Sequence, residues 1–85
     1  MNDERKTFDV AEFFGTENAE QITPYKAMRL VNAALAELGV DKELPGPMLY
    51  TYVQKGYIGG VKNAKRTTRK DVAAWFEKYV TRFFE

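Results

Sequence analysis

The sequence predicts a mainly α-helical fold with a small β-hairpin. Three observations lead there. Three segments repeat apolar residues at helical spacing, each bounded by start and stop residues. Between the second and third lies a glycine-containing stretch, KGYIGGVKNAKRTTRK, with the composition of short strands and turns. The chain has 85 residues, 45% of them hydrophobic, which suits one small core.

The elements follow in order. Residues 1–6 read as a loose end. TFDVAEFFG (Thr7–Gly15) is apolar enough to dock, with Asp9 as cap and Gly15 as stop of a short helix; a short strand is the alternative. Its phenylalanines and Val10 are expected as a satellite of the core. TENAEQ is a polar linker. Residues 1–21 thus form an N-terminal extension, and residues 22–85 the domain proper. Thr23 followed by Pro24 opens the first long helix, because a hydroxyl caps free N–H groups and proline tolerates the first turn. Ala27, Leu30, Val31, Ala34, Leu35 and Leu38 form its buried stripe, Asn32 and Glu37 are assigned to solvent, and Gly39 ends it.

Pro47 starts a second helix that Gly56 stops, with Leu49 and Val53 on its inner face and Met48 and Tyr52 flanking them. Tyr57-Ile58 and Val61, then Arg66-Thr67 beyond a KNAK turn, fit two short strands. Thr68 and Asp71 resemble a capping box for a third helix over residues 69–83, whose stripe is Val72, Trp75, Phe76, Tyr79, Val80 and Phe83. Trp75 is expected to anchor the core, and Phe76, Phe83 and Phe84 to lie more open.

The chain has no Cys and no His, which removes disulfides, thiol nucleophiles, the commonest general base and most metal sites. No enzyme activity and no cofactor is expected. Nor does any apolar run approach the about 20 residues of a membrane span. The opening MNDERKTFDV is polar, unlike a secretory leader, so a cytoplasmic location is expected. The net charge of +1 conceals a split: residues 1–24 carry −4 and residues 25–85 carry +5. Lys55, Lys62, Lys65, Arg66, Arg69 and Lys70 gather in sixteen residues without an acid between them.

Two helices, a basic hairpin and a third helix make the order of a winged helix-turn-helix. At LYTYVQKGYI and KRTTRKDVAAWF the chain resembles the excisionase and MerR-like winged helix-turn-helix families. Arg66, Asp71, Val72 and Trp75 match the segment that follows the wing in small excisionase-type domains, and LPGPMLYTY resembles the start of the second helix in MerR-like proteins. The resemblance runs from about Ile22 to Tyr79. GVDKELPGP is longer than the tight turn of a simple helix-turn-helix. The chain stops at Glu85, without the long dimerisation helix and effector domain of the MerR-like regulators. The resemblance therefore implies a minimal DNA-binding protein of a phage or mobile element. Its role would be that of an excisionase-like recombination directionality factor, which bends DNA and directs an integrase.

The chemistry of individual residues points the same way. Thr51, Gln54 and Lys55, on the outer side of the second helix that Pro47 opens, can read base edges in a major groove. Tyr50 can reach a phosphate through its hydroxyl or pack with that hydroxyl wet. Lys62, Lys65 and Arg66 suit phosphates, and Asn63 with Lys62 at a turn tip suits a minor groove. The N–H groups after Thr23 can hold a phosphate flanked by Tyr25 and Lys26. Arg69 opens the third helix, where a cation opposes the helix dipole and favours an external anion. Phe83 and Phe84 are candidate partner contacts, toward a site-specific recombinase or a second copy on DNA. Two rival readings share the sequence: a small MerR-like transcriptional regulator, and an interaction adaptor that binds no nucleic acid.

Overall fold

A computed structural model describes residues 8–83. The loose end expected over residues 1–6, and Phe84, lie outside the described residues. The order is α1 (Val10–Phe14), β1 (Gln21–Ile22), α2 (Pro24–Glu37), α3 (Gly46–Gln54), β2 (Thr67–Thr68) and α4 (Arg69–Thr81). The protein is mainly helical, with one two-stranded antiparallel ladder.

Three of the four described helices begin where a side chain satisfies a free backbone donor, while α3 starts after Pro45 with no side-chain cap. The Asp9 carboxylate accepts the Glu12 N–H at 3.1 Å, the Thr23 hydroxyl the Lys26 N–H at 3.2 Å, and the Thr68 hydroxyl the Asp71 N–H at 3.2 Å. α2 and α3 end by a shared device. After α3, Gly56 turns left-handed (φ 83°), Tyr57 N–H donates to the Tyr52 carbonyl at 2.9 Å, and Gly56 N–H to the Val53 carbonyl at 3.2 Å. Those two bonds are a Schellman motif, and the Tyr52 and Tyr57 rings meet edge-on above it. Val40 and Gly39 close α2 the same way on Leu35 and Ala36.

The ladder differs from the expected hairpin. Residues 57–66 form turns, and Thr67–Thr68 pairs with Gln21–Ile22, far away in sequence. Gly56, Gly59, Gly60 and Asn63 all have positive φ, which a strand backbone does not adopt. The loop folds back on α3 instead: Asn63 N–H donates to the Gln54 carbonyl at 2.6 Å. The turn-forming residues thus win over the short apolar pairs between them. β1 also spans the expected boundary between extension and domain.

One core serves all elements. α2 packs on α3 and α4, and α1 packs on α4. Phe14, Val31, Leu35, Leu49, Val53, Ile58, Val72 and Phe76 are fully buried. Phe14 meets Phe76 at a centroid distance of 5.2 Å and lies at the centre of the core and not in a satellite, whereas Phe8, Val10 and Phe13 pack against its margin as expected. Phe76 is not open as expected. Trp75 is only half-buried, stacked on Tyr79 at 4.9 Å and edge-on to Tyr52. The inward line of α4 runs through Val72, Ala73, Phe76 and Tyr79, which leaves Trp75 one step round the helix on the flank. Asn32, expected in solvent, is half-buried and hydrogen-bonded to both backbone polar groups of Leu44. Glu37 is exposed as expected.

Candidate nucleic-acid interface

Three shallow depressions along α2 and α3 hold most of the candidate residues. Thr23, Pro24, Tyr25, Gly46, Pro47 and Tyr50 line the first, about 560 Å³ in volume, where the N-termini of α2 and α3 meet. The second, between successive turns of α2, is lined by Tyr25, Lys26, Arg29 and Leu30. The third, also about 560 Å³, lies at the far end of α3 and is lined by Gln54, Lys55, Tyr57, Lys62 and Asn63.

α3 joins the first depression to the third. Pro47, Tyr50 and Gln54 are spaced by three and four residues, so they share one helical face. The distance along the axis from Pro47 to Gln54 is about 10 Å. Thr51 is half-buried beside this line, while Gln54 and Lys55 are exposed. Leu49 and Val53, buried behind, hold the helix against α2 with its outer face free.

The loop after α3 completes the outline. Its bond from Asn63 to Gln54 holds Lys62 and Asn63 against the C-terminal end of α3. Three residues later the chain reaches the ladder, where Ile22 faces Thr67. That register carries Arg66 to the Thr23 end of the ladder. Asn63 and Arg66 are three residues apart, so the connecting chain spans at most about 11 Å. Lys65 and Arg66, both exposed, therefore stand between the far end of α3 and the start of α2. The segment expected as a wing folds back on the C-terminal end of the helix.

Gly59 fixes this loop on its inner side. Its φ is 91°, and a Cβ there would come within 3.2 Å of the Asp71 carboxylate in the first turn of α4. The loop backbone thus rests directly on the helix that Thr68 caps.

Arg69 stands apart from these residues. Its Nη1 points to the Phe14 carbonyl at 3.5 Å and its stem covers Gly15, so it clasps the C-terminal end of α1. A cation beside the terminal carbonyls of a helix is electrostatically favourable, which gives the Arg69 Nη1 an internal acceptor, while its Nε is buried without a partner among the described residues. Phe83 is partly exposed at the end of α4, with its ring edge-on to Tyr79 at 5.4 Å. Arg82 lies over the other part of that aromatic run, 5.1 Å from the Tyr79 centroid.

Two residues of the surface escaped the sequence reading. Arg29 lies four residues after Tyr25, on the same face of α2, with its guanidinium 6.0 Å from the Tyr25 centroid. Tyr57 is exposed in the third depression. The i, i+4 spacing from Tyr25 was the available signal for Arg29. For Tyr57 it was the position directly after a helix-stopping glycine, among lysines.

Among the described residues, no group of three or more His, Cys, Asp or Glu side chains converges to hold a metal ion. No described helix is long and apolar enough to cross a membrane. Comparison with protein-family models, curated proteins and solved structures returns no match to this chain.

Proposed function

We propose that this protein binds duplex DNA sequence-specifically, with α3 entering the major groove and the loop after it replacing a wing. The observation that carries the reading is the alignment of Pro47, Tyr50 and Gln54 along α3, with Thr23 and Tyr25 at one end and Lys55, Lys62 and Asn63 at the other. A strip about 10 Å long on an exposed helix is commensurate with a major groove about 12 Å wide. Gln54 is the base-reading side chain, because a carboxamide can pair bidentately with adenine. Lys55, Lys62, Lys65 and Arg66 neutralise phosphates on either side, and the N-terminus of α2 offers N–H groups to another.

Within that activity, the role is an excisionase-like recombination directionality factor that works by occupancy and bending. Bending a site of 20–30 base pairs costs on the order of 1–6 kcal/mol, which cooperative binding of several copies would offset. A MerR-like transcriptional regulator would share the DNA surface. Excision assays with and without the protein, beside an integrase, separate the two.

A second reading rests on the aromatic run of Tyr52, Trp75, Tyr79 and Phe83, which ends at an exposed ring. An adaptor using that ring would bind no nucleic acid, and its function would survive loss of Lys62, Lys65 and Arg66 but not of Phe83.

The deciding experiment selects a preferred duplex from a randomised pool and measures its affinity against a scrambled duplex across salt concentrations. Gln54→Ala should relax preference at one position, at a cost of about 1–3 kcal/mol on the preferred duplex alone. Lys65→Ala should weaken both duplexes alike and reduce the salt slope by about one. If both substitutions act identically on both duplexes, α3 is not the reading helix.

A further inference from the structure

Single exposed apolar side chains are ordinary, but exposed rings gathered along one surface mark a contact site, and here they are unevenly placed. Five are exposed among the described residues: Tyr25, Tyr50, Tyr57, Val61 and Phe83. All three tyrosines line the depressions along α2 and α3, with at least one ring in each. Tyr25 is 62% exposed, Tyr50 45% and Tyr57 63%. Lys26, Arg29, Lys55 and Lys62 share the same linings, and no carboxylate belongs to them. Duplex DNA makes poor use of such rings, because its bases are stacked on each other. An unpaired base has a free face, and aromatic rings set among cations are how sequence-tolerant single-strand binding is achieved.

We propose that this surface also binds single-stranded nucleic acid, with bases stacking on Tyr25, Tyr50 and Tyr57 and the four cations following the backbone. The inference uses the surface assigned above to duplex DNA but does not need duplex binding. The strand would run from the start of α2, past Tyr50, to the far end of α3. Arg29 beside Tyr25 adds a second planar group at one end. Tyr57 is held at the other by the Schellman turn and by its contact with Tyr52.

Fluorescence anisotropy with labelled oligothymidylate of about 12 nucleotides tests this, against an abasic deoxyribose-phosphate strand of equal length and a duplex of equal length. Stacking predicts that the abasic strand binds at least about tenfold more weakly than oligothymidylate. Tyr25→Ala and Tyr57→Ala should each lower oligothymidylate affinity about tenfold, while Tyr25→Phe and Tyr57→Phe, which keep the ring, should hold it within about twofold. Circular dichroism of each variant confirms that the fold is retained. Equal affinity for oligothymidylate and the abasic strand overturns the proposal, as does indifference to both alanine substitutions. The duplex arm reports separately: oligothymidylate binding with no duplex preferred from the randomised pool sinks the major-groove reading and leaves this one standing.

Discussion

Asn32 and Leu44 are joined by two hydrogen bonds across the loop between α2 and α3. The Asn32 carboxamide oxygen accepts the Leu44 N–H at 2.7 Å, and its nitrogen donates to the Leu44 carbonyl at 3.0 Å. A mid-helix carboxamide thereby pairs a loop residue as a strand neighbour would, and seats the buried Leu44 side chain against the core. This bracket ties the loop that leads into α3 to the middle of α2.

Removing the bracket should therefore cost stability and blur the interface. Asn32→Ala leaves two partly buried backbone groups without partners, a loss of about 1–3 kcal/mol. Urea denaturation measures it. Asn32→Asp keeps the acceptor for the Leu44 N–H but sets a carboxylate against the Leu44 carbonyl, and should be no better than alanine. A change within about 0.5 kcal/mol for both would mean that the loop holds its place without Asn32.

The Phe14–Phe76 contact makes a second expectation. Phe14→Ala empties the centre of the core and should cost about 3–5 kcal/mol. An 85-residue domain has only about 4–13 kcal/mol to lose. Phe14→Leu should retain most of the stability. A loss below about 1 kcal/mol for the alanine variant would show that α1 does not close the core.

Gly59 and Gly60 provide an internal comparison. Both have positive φ, 91° and 75°, so alanine at either carries a backbone cost of about 1–2 kcal/mol. Only at Gly59 does the new methyl group press on Asp71, at 3.2 Å; at Gly60 the space is open. Gly59→Ala should destabilise more in thermal melts, and the excess should shrink when Asp71→Ala is added. Equal losses from the two glycines would argue that the loop does not rest on α4.

Tyr79 makes stability sensitive to alkali. Burial pushes its phenol pKa above the usual 10.0, opposed by the nearby Arg82 and reinforced by Tyr52. The folded state therefore keeps the proton longer than the unfolded chain does. The contribution is fully present below about pH 10 and is lost as pH rises from there through the folded value. Denaturation midpoints between about pH 9 and 11 should fall less steeply for Tyr79→Phe than for the natural chain. Parallel curves would remove Tyr79 from the alkaline response.

Local chemistry made much of this legible before any coordinates. Asp9, Thr23 and Thr68 cap helices, and Gly15, Gly39 and Gly56 stop them, because a cap satisfies a donor three residues away and a stop needs only its own φ. The same locality marks Pro47, Tyr50 and Gln54 as one helical face. The strand partner is a different kind of information. Thr67–Thr68 has strand character from its composition, but nothing nearby in sequence names Gln21–Ile22 as its mate, and positive φ values exclude the neighbours that looked closest.

Residue types within a turn or two were enough to place the three longer helices and most of their ends, the cationic stretch and the absence of thiol and imidazole chemistry; they left α1 open between helix and strand and carried α4 to residue 83, two residues past its end at Thr81. The tertiary structure settled that Phe76 and not Trp75 fills the centre, that Asn32 turns inward to Leu44, that Arg69 clasps α1, and that the glycine-rich loop folds back on the end of α3. The physical reason is common to all four. Each is a choice between partners distant in sequence, settled by which arrangement buries apolar area while leaving backbone polar groups paired, and that competition exists only once the helices have met.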